Sequence, residues 1–405
     1  MENVSVYNPS NLLHTQESLS RYRVGGYHPV TLGDSFDDGR YTVLHKLGWG
    51  GYSTVWLARD KRDKQWVAIK ILEAEFEDKP REICNLHTLS SSSQDGLAAH
   101  YIVQLLDEFA HDGPNGTHQC LVFELLGPSV AYVIEDYGLS SEKLEPEVIL
   151  RMSEQLLRAA AFIHGAGLAH GDISSRNIAF TSSILSNCMD EDSLLKIIGS
   201  PVIEPLARID GKPLRQGLPS QLVKAANWES WVDEDEEDIR LLDFGETFTQ
   251  GAEPERIAQP KALRAPETIF TDRFDYRLDL WGVGIAIYSL VRGGLPFMYL
   301  GDEDVLVAQM INFVEELPVE WQHIYRDMCL KAGREPVEGY NGPHPQSKIE
   351  QIFEELVPDE DLKPLLPIIK GLMRFNPSER ISASQALEML KLHDCEGRRS
   401  PSAER

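Results

Sequence analysis

The segment that most limits how this chain can fold is Trp66-Val-Ala-Ile-Lys-Ile-Leu72, an apolar run with a lysine near its end. Strong β-formers make it a strand, and an amine sunk among such neighbours is costly unless a carboxylate meets it. A helix beginning near Pro80, a good first-turn residue, would carry Glu82 with Ile83 and Leu86. Glu82 is thus the candidate partner of Lys70. A lysine that reaches back to the surface is the plainer alternative, and this motif alone leaves both open.

Its surroundings read as an antiparallel meander. Residues 41–47 alternate loosely and stop at glycines, 53–58 follow, and the charged turn 59–64 leads into 66–72. Two more strands are expected at 102–109 and 120–125, after which Gly127-Pro128 marks a boundary. Beyond it the chain turns helical. In 146–164 the apolar residues Val148, Ile149, Met152, Leu156, Leu157, Ala160 and Ile163 keep close to a 3.6 period, and Pro146 suits the first turn. Further helices are expected at 276–291, 305–313, 362–373 and 384–392. Between 181 and 238 lies a long stretch of mixed composition that ends in Asp233-Glu-Asp-Glu-Glu-Asp238. A structureless stretch that long is unusual within a domain and reads as an insertion. The expected fold class is α+β in two lobes: an extension 1–35, a small sheet lobe 36–127 with one helix, a larger, mainly helical lobe 128–396 with the insertion 181–238, and a disordered tail 397–405.

The 405 residues allow two or three ordinary domains or one large two-lobed protein. Residues 1–20 are polar, so no secretory signal is expected, and the best apolar run, 280–291, is too short to span a bilayer. Five scattered cysteines without a C-x-x-C pair argue against a disulfide framework or a zinc site and for the cytosol or nucleus. With 64 acidic against 39 basic residues, the net charge of −25 repels nucleic acid and anionic membrane and attracts basic partners. Solubility alone would also account for it.

Five motifs carry chemistry. Leu47-Gly-Trp-Gly-Gly-Tyr-Ser-Thr-Val55 lies on the turn between the first two strands, where glycines let amide N–H groups approach phosphates; a tight hairpin would also use them. Val67-Ala-Ile-Lys70 with Glu82 would reach the α- and β-phosphates of a nucleotide. Ala169-His-Gly-Asp-Ile-Ser-Ser-Arg-Asn177 follows the long helix: Asp172 would accept or orient the proton of an attacking hydroxyl, and Asn177 would hold magnesium. In Leu241-Leu-Asp-Phe-Gly245 a short apolar strand runs into Asp243, a second magnesium ligand whose oxygens would suit that hard cation. Last comes Arg264-Ala-Pro-Glu267, followed by Asp279-Leu-Trp-Gly-Val-Gly284. Each has a bland reading as a loop, turn or helix start. Their order and spacing together do not, because this is the order of a protein kinase.

From about 41 to 392 the chain resembles the eukaryotic protein kinases, and more narrowly the SR-protein kinases of the CMGC group, which phosphorylate serines in Arg/Ser-rich segments. The residues that carry the narrower resemblance are Tyr27-His-Pro-Val30 with Gly33-Asp34, Lys46-Leu-Gly-Trp-Gly50, Ser53-Thr-Val-Trp-Leu57, Val122-Phe-Glu-Leu-Leu-Gly127, the insertion ahead of Asp243, and Arg264 before Ala-Pro-Glu267. The resemblance implies a two-lobed kinase fold with ATP and magnesium as cofactors. The nucleotide site would be lined by Leu47, Gly48, Trp49, Gly50, Gly51, Tyr52, Ser53, Val55, Ala68, Lys70, Phe123, Glu124 and Leu126. Phe123 would be the gatekeeper, and the backbones of Glu124 and Leu126 would bind adenine. Catalysis would rest on Asp172, Lys70, Glu82 and Arg176, and the metal on Asn177 and Asp243. Arg380 would pair with Glu267. The protein would be a monomer acting on a basic Arg/Ser-rich protein, with no direct contact to nucleic acid or membrane.

The departures are as telling. Ser53 replaces the third glycine of the loop pattern. Gly171 replaces the arginine that normally reads a phosphate on the activation segment, which implies activity without that phosphate. Ser174 stands where serine/threonine kinases place a lysine, and the guanidinium of Arg176 could supply the missing charge. Pro260 occupies the place of a threonine ahead of Ala-Pro-Glu267, which leaves the acceptor hydroxyl open. Two other classes stay in view: a pseudokinase scaffold, and a small-molecule phosphotransferase with the same His170-Gly-Asp172 spelling.

Overall fold

Alternating buried and half-exposed side chains make the first part of the chain a six-stranded antiparallel sheet. Its strands are β1 (Ser35–Phe36), β2 (Tyr41–Trp49), β3 (Ser53–Asp60), β4 (Gln65–Leu72), β5 (Leu105–Gly113) and β6 (Gly116–Glu124), in the order β1-β2-β3-β4-β6-β5. The computed structural model describes residues 4–75, 79–92, 100–140, 143–188, 190–228, 231, 237–337 and 347–397. Most of the acidic run and the tail beyond 397 lie outside them. In β4 the residues Val67, Ile69 and Ile71 share the core face with Tyr41, Val43, Trp56, Ala58, Cys120 and Val122. The period of two therefore sends Ala68 and Lys70 to the opposite face. Register places Lys70 opposite Val55 on β3 and Leu121 on β6, and Ala68 opposite Phe123.

The chain divides into two compact units, the first drawn from the described residues of Met1–Ile83, Val103–Gly127 and Thr181–Glu237. The segment 181–238, expected as an insertion of the larger lobe, thus belongs through residue 237 to the unit of the sheet. It carries the helices Ser183–Asn187 and Glu191–Ile198 and pairs Ile203–Pro205 with Gln221–Val223. Asp190 caps the second helix by accepting from Ser193 N at 2.8 Å. Leu185, Leu194, Ile198 and Ala226 pack against Leu57 and Leu125 of the sheet unit. Leu206, Leu218 and Leu222 close a second cluster with Tyr7, Leu12, Leu13, Leu19, Tyr22 and Tyr27. The N-terminal extension is therefore part of this unit's core and not an appendage.

The second unit, Cys84–Ile102, Pro128–Phe180 and Asp238–Arg405 in its described residues, is mainly helical. Pro146–Gly165, Leu278–Arg292, Glu303–Phe313, Leu365–Leu372 and Ala383–Gly397 lie near the expected positions. Val130–Ser140, Val319–Ala332 and Lys348–Leu356 were not anticipated. In Val319–Ala332 only Trp321, Tyr325 and Cys329 are buried, a narrow stripe on a polar helix. Leu278–Arg292 is buried from Leu278 to Val291. A Cβ on Gly282 would lie 2.7 Å from Ile173 O, so glycine lets the catalytic-loop backbone close onto this helix. Arg380 reaches Glu267 with both terminal nitrogens, at 2.8 and 2.6 Å, in full burial, as the resemblance implied. Among the described residues no helix is long and apolar enough to cross a membrane.

One group in the first unit is tuned against charge. His28 is buried with its ring centroid 4.6 Å from that of His111 and 5.0 Å from that of His118. Burial first, and then the charges of His111 and His118, pushes its pKa down to about 3. Asp34 and Asp112 face His111 and act oppositely on that ring. Between the unfolded value of 6.5 and about 3 the unfolded chain takes up a proton that the folded chain refuses. Stability contributed by neutral His28 is thus complete above that window and is lost as the pH falls through it. Moving from pH 7 to pH 5 should lower the thermal midpoint more in the wild type than in His28→Leu; equal falls would remove His28 as a cause.

Candidate active site

In the first unit, the β2–β3 turn is closed by Gly50 N donating to Ser53 O at 2.9 Å. Trp49, Gly50, Gly51 and Tyr52 are exposed, Leu47, Gly48 and Val55 half-buried, and Ser53 buried. None of Gly48, Gly50 and Gly51 has a left-handed φ. A Cβ would meet nothing within 4 Å at Gly48 or Gly51, and only Ser53 Oγ, at 3.9 Å, at Gly50. The hairpin itself does not require glycine there. The absence of side chains there leaves the backbone open to close approach.

Lys70 Nζ donates to both carboxylate oxygens of Glu82, at 2.8 and 2.9 Å, with the side chains 13% and 2% exposed. The lysine therefore does not reach back to the surface; Glu82, from helix Lys79–Ser92, holds it. Phe123 is buried opposite Ala68, and Leu126 is buried just beyond the end of β6. The N–H of Glu124 is already donated to Gln104 O at 3.2 Å.

In the second unit, His170, Gly171 and Asp172 follow the short strand Leu168–Ala169, which pairs with Phe248–Thr249. The buried carboxylate of Asp279 accepts His170 N at 2.7 Å, Gly171 N at 2.8 Å and His164 Nε2 at 3.0 Å. His170 Nδ1 accepts from Asp172 N at 3.2 Å, so its Nε2–H donates to Leu242 O at 2.9 Å. Burial keeps this imidazole neutral by lowering its pKa. Its ring thereby links the backbone of Asp172 to the residue before Asp243.

Asn177 completes the link. Its side-chain N–H₂ donates to Asp172 O at 2.8 Å and to Asp172 Oδ2 at 2.9 Å, while its backbone carbonyl accepts Leu242 N at 2.7 Å. Strands Ile178–Phe180 and Ile239–Leu241 pair directly beyond, Ile178 against Leu241. Asp172, Asn177 and Asp243 are thus brought together on one hydrogen-bonded frame. Burial is the main cause that pushes the Asp172 carboxyl up to about 7. The Asn177 bond opposes it, and the charges of Asp243, Glu246 and Asp279 add to it.

The donor set fits magnesium. With its nitrogen committed to Asp172, Asn177 presents Oδ1, and Asp243 supplies a carboxylate at φ 60°, a left-handed backbone that no glycine relieves. Among the described residues no three His, Cys, Asp or Glu side chains are grouped to hold a metal. A magnesium ion that binds along with nucleotide phosphates needs only one or two protein oxygens.

Gly171 has φ 89°, and a Cβ there would lie 2.5 Å from Glu246 O. The arginine of the common spelling therefore has no room. Neutral amides hold the segment beyond Asp243 instead: Gln250 Nε2 donates to His164 O and Leu168 O, both at 2.9 Å, and Gln259 Nε2 to Gly171 O at 3.1 Å. Arg176 is exposed and makes no ion pair among the described residues, whereas Ser174 is buried. Asp279 and Gln259 were not anticipated from the sequence as organisers of the loop. The readable signal for Asp279 was a lone charge in an otherwise apolar helix.

The protein kinase domain family model matches residues 41–198 and 224–390. Protein kinase dsk1 of Schizosaccharomyces pombe is 37% identical over 186 residues, 45% of this chain and 32% of that protein. Serine/threonine-protein kinase SKY1 of Saccharomyces cerevisiae is 37% identical over 170 residues, 40% of this chain and 23% of that protein. The chain thus spans a third or less of these relatives. Serine/threonine-protein kinase SRPK of Physarum polycephalum is 25% identical over 411 residues, 92% of this chain and 90% of that protein. A solved kinase domain superposes with a TM-score of 0.60 at 20% identity, over 90% of this chain and 98% of its own, a likeness of fold. This chain belongs to the protein kinase family, and within it resembles the SR-protein kinases.

The geometry at Gly171 makes a testable demand. Gly171→Ala should lower stability in urea by about 1–3 kcal/mol, since it adds positive-φ strain to a backbone clash. An unchanged denaturation midpoint would show that the loop relaxes freely.

Proposed function

We propose that this chain is an ATP- and magnesium-dependent protein kinase that transfers the γ-phosphoryl group to serine or threonine hydroxyls of basic, Arg/Ser-rich proteins. The observation that carries the reading is the frame through His170 and Asn177 that brings Asp172 and Asp243 together. Lys70, oriented by Glu82, would bind the α- and β-phosphates, and the amides of 48–53 would cover them. Ala68, Phe123 and Leu126 would enclose the adenine, with the backbones of Glu124 and Leu126 as its partners. Asn177 and Asp243 would hold magnesium, which when bound neutralises charge on the β- and γ-phosphates. Asp172, with a pKa near 7, would orient the acceptor hydroxyl and take its proton as the oxygen–phosphorus bond forms and ADP leaves.

Other features support the finer points. Retention of Lys70, Glu82, Asp172, Asn177 and Asp243 favours turnover over a scaffold. The Glu267–Arg380 pair and the Asp279 hub, which resemble the platform of protein-directed kinases, favour a protein acceptor over a small molecule. The net charge of −25 favours a basic one. Free thiols at Cys84, Cys120, Cys188 and Cys329 suit the cytosol or nucleus. Gln250 and Gln259, with glycine at 171, favour activity without a phosphate on the segment after Asp243.

The test is an assay with Mg-ATP against Arg/Ser, neutral Ser/Thr, tyrosine and acidic peptides. The Arg/Ser peptide should lead, with its advantage shrinking as salt rises, and Asp172→Ala should abolish transfer while nucleotide binding stays nearly intact. Undiminished turnover in that variant, or preference for the acidic peptide, would sink the assignment. Because Arg176 is exposed beside Asn177 and Ser174 is buried, Arg176→Ala should lower kcat/KM at least tenfold more than Ser174→Ala. Equal mild effects would refute a relocated charge.

A further inference from the structure

The tip of the glycine-rich turn is gripped from outside the sheet. The hydroxyl of Tyr27 donates to Gly50 O, and Arg21 Nη2 donates to Gly51 O. Both donors belong to the extension ahead of β1. A peptide group is planar and trans, so a fixed carbonyl sends the N–H of the next residue in the opposite direction. Holding the carbonyls of Gly50 and Gly51 therefore aims two successive amides, Gly51 N–H and Tyr52 N–H, away from the extension. In an exposed turn of two glycines these directions would otherwise be free.

The grip is itself anchored. Tyr27 is 2% exposed, with its ring edge-on to Tyr22 at 5.7 Å. Tyr22 donates to Glu17 Oε1 at 2.5 Å, and the other Glu17 oxygen pairs with the buried Lys46 of β2. Arg21 also meets Glu73 Oε2 at 2.8 Å and lies over the Tyr27 ring at 5.0 Å. Asn115 Nδ2 donates to both Tyr27 O, at 2.7 Å, and Gly217 O, at 2.8 Å, tying the grip to the segment 181–237. Every one of these contacts lies within the first unit.

We propose that Tyr27 and Arg21 are positioning residues that preset the phosphate-facing amides of Gly51 and Tyr52, so that the N-terminal extension sets the protein's affinity for nucleotide phosphates. This rests on the proposed nucleotide-binding function and adds to it. Preset donors bind without the cost of ordering the turn, and one such hydrogen bond corresponds to about a three- to tenfold change in affinity.

The experiment measures dissociation constants of Mg-ATP and of adenosine for the full chain, its Tyr27→Phe variant and its Arg21→Met variant, beside thermal midpoints. Tyr27→Phe keeps the ring in the core and removes the hydroxyl, which donates to Gly50 O and also meets the Arg21 side chain. It should weaken Mg-ATP about three- to tenfold, leave adenosine within about twofold, and raise KM for ATP with kcat nearly constant. Loss of both ligands in equal proportion, or of neither, would overturn the proposal, because a merely structural role moves the two together. If Tyr27→Phe does not fold, Arg21→Met, at a half-exposed side chain, decides by the same comparison. A wild type that binds neither Mg-ATP nor adenosine would overturn the proposed function itself, a result distinct from an unaltered ratio.

Discussion

The second unit is organised around one carboxylate in a place where charge is expensive. Asp279 is 1% exposed, at the start of a helix whose next twelve residues are all buried. An ion there costs several kcal/mol unless donors surround it. The donors it finds are the backbone of His170 and Gly171 and the ring of His164. Satisfying the charge and fixing the loop are therefore the same event. Asp172 follows directly, and its bond to the neutral His170 ring carries the order on to Leu242 and Asp243. A Cβ on Gly282 would break the contact that lets the loop lie so close.

A second theme is replacement of charge by shape. A kinase with an arginine at position 171 can be held by a phosphate, whereas here the backbone turns through φ 89° and leaves no space for any side chain. Neutral amides take over: Gln259 donates to Gly171 O and its Oε1 accepts Ala265 N at 3.3 Å, spanning the loop and the start of Ala-Pro-Glu267. Such contacts do not depend on salt or on a modifying enzyme.

Much of this was legible from residues alone. Lys70 in an apolar strand suggested a carboxylate partner, and Glu82 met it; Arg380 met Glu267 as the family resemblance implied. The five sheet strands β2 to β6 were readable because their β-formers are bounded by glycines and charged turns. The rest was illegible for physical reasons. The segment 181–238 has little periodicity, since its helices are short and its apolar residues are matched to Leu57, Leu125 and the N-terminal tyrosines, partners remote in sequence. Val319–Ala332 shows only three buried residues and so resembles a polar loop. Asp279 stood out within its motif, but its partners did not, because nothing in its vicinity names the backbone amides that it binds.

The pairing of the extension with the segment 181–237 has a consequence for biosynthesis. Leu12, Leu13, Leu19, Tyr22 and Tyr27 find their apolar partners in Leu206, Leu218 and Leu222, roughly two hundred residues later. On a ribosome the first unit cannot complete its core until the chain has been made past residue 222, by which time the sheet and the helix Pro146–Gly165 have already emerged. Contacts of such long separation close slowly, and the waiting tyrosines and leucines are exposed meanwhile. The arrangement that steadies the glycine turn in the finished protein therefore keeps its first thirty residues waiting for a segment made much later.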